Sequence, residues 1–564
     1  MSWTGWILLF LILNGIHFIS TWKLYQWAGK KSWEAAIPIY NAVVLMEIIN
    51  RPRWWVFLLF VPTINLIVIP IVWVETLRSF GFRSQKDTAL VLLTGGLYIA
   101  TKNYGDPAKY IADRSLKPRT AFGEWFSSVL FAVVAATLVH TYIMQPYIIP
   151  TGSLEKSLLV GDFLFVSKFH YGSRVPMTTV SFPMVHDTLP LIKTKSYLKK
   201  PQLPYLRLPR LQKVKRNEIV VFSWPADTVR QFFVKEAGVR KPIDKKSNYV
   251  KRCVAIPGDT LEIIDGFVYI DGKRTQLPDR ARVQYVHTIA LEKRTSPSKL
   301  TDQGFSDFTQ TFRVQGLTQP AYNALKPYLL GAVRDGDTDF LITTTPSNQP
   351  QFIFKAYNIP YTTTDLKMTL TLDEAKTLSK KSWVHSVVRQ NQAEKVPNTT
   401  FFPNALPYDW NEDNFGPIVM PKAGESIALT PKNYPLYKKL IREYEKNDFR
   451  KEGDRFYLNG AQVERYTFQQ DYYWMMGDNR HKSEDSRFWG FVPADHIVGK
   501  PVFIWFSIEG FTQGIKNWKV RWDRVFTTVG LEGERRSYLV PFLIVVGLWQ
   551  VFVWFRRRKL QKET

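Results

Sequence analysis

Residues 3–22 carry no Asp, Glu, Lys or Arg, and a run of about 20 predominantly apolar residues is what a helix needs to cross a bilayer. The run has neither a basic start nor a small-x-small exit, so it reads as a retained anchor rather than a cleavable signal peptide. Lys23, Lys30 and Lys31 follow it, which by the positive-inside rule places its C-terminal end in the cytoplasm. A second apolar run, 124–149, is preceded by Lys109, Arg114, Lys117 and Arg119. A third, 538–555, is closed by Arg556, Arg557, Arg558 and Lys559. Both flanks point the same way and put residues 150–536 together on the far side of the membrane.

The expected layout is an N-terminal membrane region at 1–115, an anchor at 120–149 and a C-terminal transmembrane helix at 537–556. Between the first two runs the chain crosses an even number of times or not at all. Residues 54–77 are apolar but interrupted by Pro62 and Pro70, and 88–101 are short for a span. Two extra crossings are the first expectation, although they leave Arg78, Arg83 and Lys86 outside. A re-entrant hairpin with a surface segment satisfies the same parity.

Away from these runs the chain looks like a soluble protein, for hydrophobic residues make up 45% and charged residues 22% of the whole. Of the net charge of +26, residues 1–149 hold +6 and residues 537–564 hold +4, leaving +16 on the intervening stretch. A basic domain tethered to a bilayer can be drawn to anionic headgroups. No nucleic-acid-binding module is recognisable, so no nucleic-acid partner is expected. The single cysteine, Cys253, excludes an intramolecular disulfide and a multi-cysteine metal cluster.

Three segments carry chemistry. After the second run, Pro150, Thr151, Gly152 and Ser153 form a turn, and LLVGDFLFVSKF alternates as a strand behind it. Taken alone, Ser153 is an ordinary turn serine. In 248–273 a strand bearing Lys251 precedes a Pro257-Gly258-Asp259 turn and a hairpin at Asp265-Gly266. Alternation sets Tyr249, Lys251 and Cys253 on one face and Val250, Arg252 and Val254 on the other. In 472–507 a polar loop rich in Gly, Asp, Asn, Arg and Ser lies between two apolar strands. The eight histidines form no zinc or triad motif. A serine can instead be deprotonated by a neutral lysine whose pKa is lowered by burial.

Together these segments resemble the signature boxes of the type I signal peptidases, the membrane-bound serine proteases that remove signal peptides from exported preproteins. Pro150 to Leu154, continuing to Gly161-Asp162, resembles the box that bears the nucleophile. Lys251-Arg252 through Pro257-Gly258-Asp259 resembles the general-base box, and Gly477 to Gly490 matches the G-D-N-R-x-x-S-x-D-S-R-x-W-G box without a gap. Asn217 to Pro225 resembles a further family strand, with Asn217 in place of its glycine.

The resemblance implies Ser153 as nucleophile, Lys251 as general base, and the Thr151 hydroxyl with the Ser153 backbone N–H as oxyanion hole. It implies Ser483 as the residue orienting the lysine amine, with Asp485–Arg487 and Asp478–Arg252 as structural ion pairs. Tyr147, Ile149, Pro150, Leu158, Tyr249 and Val250 would line shallow pockets for small substrate side chains. Leu154 replaces the family's methionine, and Lys156-Ser157 replaces Pro-Thr, so the loop after the nucleophile lacks a stiffening proline.

The expected fold is membrane-anchored and mainly β: an antiparallel β catalytic domain from 150–273 and 421–530, a large α+β insertion at 274–420, N-terminal transmembrane helices and one C-terminal transmembrane helix. A capping box at Thr371 and Glu374 opens a helix within the insertion. No metal or organic cofactor is implied. The expected partners are signal-peptide-bearing preproteins and membrane lipids, and the expected location is the inner membrane, multi-pass, with the catalytic domain periplasmic. Two alternatives remain: a self-cleaving repressor-type dyad enzyme, against which the spans argue, and a catalytically silent membrane scaffold binding partners through 274–420.

Overall fold

The computed structural model describes residues 2–118, 120–227, 238–292, 297–305 and 307–563, so Arg119 lies outside them. Helix α1 (Trp3–Trp27) is apolar on every side, and only Ser20, Thr21, Leu24 and Tyr25 are buried. Around those last turns pack α2 (Tyr40–Ile48), α3 (Trp55–Phe60), α4 (Asn65–Ser79), α5 (Gln85–Leu93) and α6 (Tyr98–Asn103). Their shared core includes Tyr25, Met46, Ile64, Val72, Val91 and Ile99. Among the described residues, three helices are long and apolar enough to cross a membrane: α1, Ala121–Ile143 and Leu539–Arg556.

Residues 54–77 fold as two helices, α3 and α4, joined by a turn at Val61–Ile64. Pro62, which disfavours a helical residue before it and cannot donate to the ladder, follows α3. Thr63 then takes a positive φ of 69° and α4 runs back. Arg51 Nη2 lies 3.5 Å from Glu75 Oε1 and closes the base of this hairpin, while Thr63 Oγ1 at its tip lies 3.0 Å from Ser181 Oγ. Residues 88–101 fold into parts of α5 and α6.

The anchor expected over 120–149 is shorter than its apolar run. Helix α7 (Ala121–Leu138) continues through a wide turn, Val139–Ile143, and then the chain extends into a strand, Met144–Ile148. Apolarity alone does not distinguish a buried strand from a helix. Here pairing with Asp162–Ser167, in the register Tyr147 to Leu164, draws the last residues into the sheet.

The central sheet runs in the order Met144–Ile148, Asp162–Ser167, Ile497–Glu509, Ile219–Ser223, Asn248–Ala255, Tyr472–Met476, Val492–Pro493, with antiparallel neighbours throughout. From Lys251 to Ala255 every residue is buried, because this strand is paired on both edges and covered on both faces. Phe222, Cys253 and Met475 fill one face; Ile149, Leu158, Leu164 and Val221 fill the other. Beyond it the Asp265-Gly266 hairpin, with both residues at positive φ, joins Thr260–Ile264 to Phe267–Ile270.

The insertion holds a six-stranded antiparallel sheet in the order Leu329–Arg334, Asp339–Thr344, Phe308–Gln315, Tyr361–Thr371, Gln284–Leu291, Val384–Arg389. It is smaller than the expected 274–420. Phe402 and Phe415 place their rings 6.1 and 5.3 Å from that of Trp474, and Phe415–Val419 pairs with Thr260–Ile264, so the chain has rejoined the catalytic core well before residue 420. Thr371 caps the helix Leu372–Leu378 with Glu374 as its reciprocal partner. The C-terminal helix is Leu539–Glu563.

Candidate active site

Pro150 is exposed and turns the chain out of its strand; Gly152–Leu154 then make one tight 3₁₀ turn carrying Ser153 inward. The floor beneath is the strand Asn248–Ala255, held in register by Val220 opposite Lys251 and Met476 opposite Arg252. Lys251 Nζ lies 2.6 Å from Ser153 Oγ. Ser153 is 9% and Lys251 5% exposed, so the pair meets out of bulk water. Burial lowers the Lys251 amine from 10.5 to about 8, against the opposing pull of Asp485 and Glu484. A lysine so placed is partly neutral near physiological pH and within reach of a hydroxyl proton.

The polar loop after Tyr472–Met476 packs directly on the serine turn. Asn479 donates its backbone N–H to Ser153 O at 3.1 Å and its side-chain amide to Gly152 O at 3.3 Å. Gly477 is required here, since a Cβ would come within 2.5 Å of Ser153 O and 2.2 Å of Ser483 Oγ. Arg252 donates to both Asp478 oxygens, at 2.7 and 2.5 Å, and Ser157 Oγ donates to the same carboxylate at 2.5 Å. Arg487 forks onto Asp485 through Nε and Nη2, both at 2.9 Å, and Asp485 also accepts from Gly477 N. Burial alone would raise both carboxyls, but the paired guanidinium holds each below its ordinary value. Each pair thus fixes one wall of the serine turn by charge-assisted, bidentate bonds.

One expected contact within the site is not made in this geometry. Ser483 Oγ is buried against Gly477 and has no hydrogen-bond partner among the described residues, so it does not bond the Lys251 amine. Thr151 is exposed, next to the buried Ser153. Of the expected pocket residues, Ile149 and Leu158 share one apolar cluster with Leu154, against which Tyr147 and Val250 pack. Tyr249 belongs to the opposite face, stacked on Trp224 at 5.0 Å, with Lys251 Nζ 5.4 Å from its ring.

Several partners lack any local sequence signal. Gln284, at the start of the insertion, donates its amide to Glu155 O at 2.5 Å and its backbone N–H to Asp478 O at 2.8 Å. Lys156, in the loop that lacks the proline, pairs with Glu374 of the insertion. His481 is engaged by the insertion and its return segment: it lies 3.2 Å from Asp413 Oδ1 and accepts from Val286 N. Glu412, Asp413 and His481 bring ligand-type atoms within 4.8 Å of one another, a spacing that could hold a cation and is also met by the ion pairing just described.

Residues 122–317 and 423–506 match the family described as signal peptidase, peptidase S26, and residues 33–113 match a family of unknown function. Proteins named signal peptidase I from Rickettsia massiliae (strain Mtu5) and Rickettsia akari (strain Hartford) are each 30% identical over 158 residues, 28% of this chain and 46% of the relative. The protein of that name from Rickettsia typhi (strain ATCC VR-144 / Wilmington) is 28% identical over 151 residues, 27% of this chain and 44% of the relative. The chain thus spans just under half the length of these curated relatives.

Proposed function

From the match of residues 122–317 and 423–506 to the signal peptidase family S26, we propose that the chain is a membrane-bound serine endopeptidase removing N-terminal signal peptides from exported preproteins. The observation that carries this reading is the 2.6 Å contact between a buried serine hydroxyl and a buried lysine amine. Neutral Lys251 takes the Ser153 proton as Oγ attacks the scissile carbonyl. The carbonyl oxygen, now negative, is met by the Ser153 N–H and the Thr151 hydroxyl. Lys251 then protonates the leaving amine, and a water that gives its proton to the same lysine releases the acyl group. The unbonded Ser483 hydroxyl holds the Lys251 amine once Ser153 is acylated and can no longer do so.

Tyr147, Ile149, Pro150, Leu158, Tyr249 and Val250 shape the ground on which an extended substrate segment docks, with small residues at the first and third positions before the cut. The catalytic unit is formed from 150–273 and 421–530, together with the segment that returns from the insertion. Three apolar helices are compatible with membrane anchoring; we assign α1, α7 and the C-terminal helix to the cell inner membrane, with the sheet on the periplasmic side. A preprotein cleavage assay in detergent tests the reading: Ser153→Ala and Lys251→Ala each abolish cleavage while the protein stays folded. Cleavage at wild-type rate by either variant refutes the dyad.

A further inference from the structure

Two cavities meet where the helices join the sheet. One, of about 150 Å³, lies beneath the end of α7 and is lined by Lys168, Arg174, His186 and Lys245, with Asp244 as its one carboxylate. Asp244 is already engaged, accepting from Thr178 N and Oγ1, both at 2.9 Å. Arg174 donates to Asp495 O and Ser223 Oγ. The Lys168 amine has no hydrogen bond or ion pair among the described residues, and burial, with Arg174 beside it, lowers it to about 7. Burial lowers Lys245 and His186 as well, so an anionic group seated among them would favour their charged forms.

The second cavity, of about 370 Å³, opens beside the first and shares Thr63, Ser181 and Phe182 with it. Its walls are mainly apolar, with Leu66 and Ile67 from α4 and Val180, Leu189 and Leu198 among them, beside Lys195 and Ser196. A chamber lined by basic side chains with an apolar one on the other side of Thr63, Ser181 and Phe182 fits a ligand that is phosphate at one end and hydrocarbon at the other. Thr137, His140 and Thr141, from the last turns of α7 and the wide turn beyond, line the cationic chamber and put it at the level where a bilayer's headgroups lie if α7 spans.

We propose that the two cavities bind one anionic phospholipid, its phosphate against Lys168 and Lys245 and an acyl chain against Leu66, Ile67 and Leu198. The proposal rests on the membrane reading of α7, not on the protease chemistry. Its link to the catalytic site is short. Tyr147 and Asn248, joined by a hydrogen bond of 3.1 Å, wall the cationic chamber, and Tyr147 lies on the strand that leads to Ser153.

The test is lipid binding to the full chain in detergent, read by native mass spectrometry, with phosphatidylglycerol, phosphatidylcholine and inorganic phosphate as separate probes. Wild type retains phosphatidylglycerol in preference to phosphatidylcholine. Lys168→Gln combined with Lys245→Gln weakens that retention at least about tenfold, whereas Lys168→Arg preserves it. Leu198→Asp, at an exposed position, weakens it independently. Equal retention by wild type and the double glutamine variant overturns the proposal. So does full displacement by inorganic phosphate with Leu198→Asp without effect, which marks a free-anion site, or competitive displacement by a preprotein, which marks a substrate site. Ser153→Ala is expected to keep its lipid. Wild type that cleaves but retains no lipid defeats this proposal alone, and wild type that binds lipid without any cleavage defeats the protease reading alone.

Discussion

Replacing the general base by an apolar side chain should abolish catalysis and stabilise the protein. Lys251 is 5% exposed, and its amine is lowered from 10.5 to about 8, chiefly by burial. At roughly 1.36 kcal/mol per unit, keeping that site in the folded protein costs about 3 kcal/mol at neutral pH. Lys251→Met removes this cost and leaves Ser153 Oγ without its partner, which takes back about 1 kcal/mol, for a net gain of about 2 kcal/mol at pH 7. The sign follows from proton linkage. Below pH 8 both folded and unfolded chains hold the proton and the penalty is complete. Between pH 8 and 10.5 the folded chain has released a proton that the unfolded chain retains, so wild-type stability rises with pH relative to the variant. Denaturant unfolding of the detergent-solubilised full chain, followed by tryptophan fluorescence at pH 7 and pH 10, measures both quantities. A variant less stable than wild type at pH 7, or a difference that does not shrink by pH 10, refutes the account of Lys251 as a desolvated base.

Cleavage rate should climb with pH along an ionisation near 8, the value to which burial lowers Lys251; a kcat/KM profile governed by a group near pKa ~6.5 and lost in His481→Ala would transfer the role to histidine. Thr151→Ala should lower kcat roughly 10- to 1,000-fold and Thr151→Ser only mildly, whereas equal rates for wild type and Thr151→Ala reduce Thr151 to a turn residue. Gly477→Ala should disable the site, because its methyl would meet Ser153 O at 2.5 Å; an active, well-folded alanine variant would show that the loop is not packed on the serine turn.

What the sequence disclosed depended on the range of the contact. The Asp265-Gly266 hairpin, the Thr371–Glu374 capping box and the strands on either side of the polar loop are local patterns, and each was readable from neighbouring residues. Ser153 and Lys251 were singled out by the motif boxes around them and not by periodicity, since from Lys251 to Ala255 the strand is buried throughout and its alternation carries no signal. The helix-to-strand change at Met144 was hidden because Gln145–Ile149 are as acceptable in an apolar run as in a buried edge of the sheet. Lys156 with Glu374, and Gln284 with Glu155, join positions far apart in the chain and have no local pattern. The ion pair of Arg51 with Glu75 that closes the hairpin at Pro62 is likewise tertiary.

The order of the central sheet also governs when the Ser153–Lys251 contact can form. Ile497–Glu509 lies between Asp162–Ser167 and Ile219–Ser223, and Tyr472–Met476 is the outer neighbour of the strand bearing Lys251. The serine and the lysine are therefore held together by strands made hundreds of residues later. The first half of the chain holds both Ser153 and Lys251 but lacks the strands that bring them into contact, and non-local pairing of this kind is slow to form. The Ser153–Lys251 contact therefore waits for the last third of the chain, which supplies both Tyr472–Met476 and Ile497–Glu509.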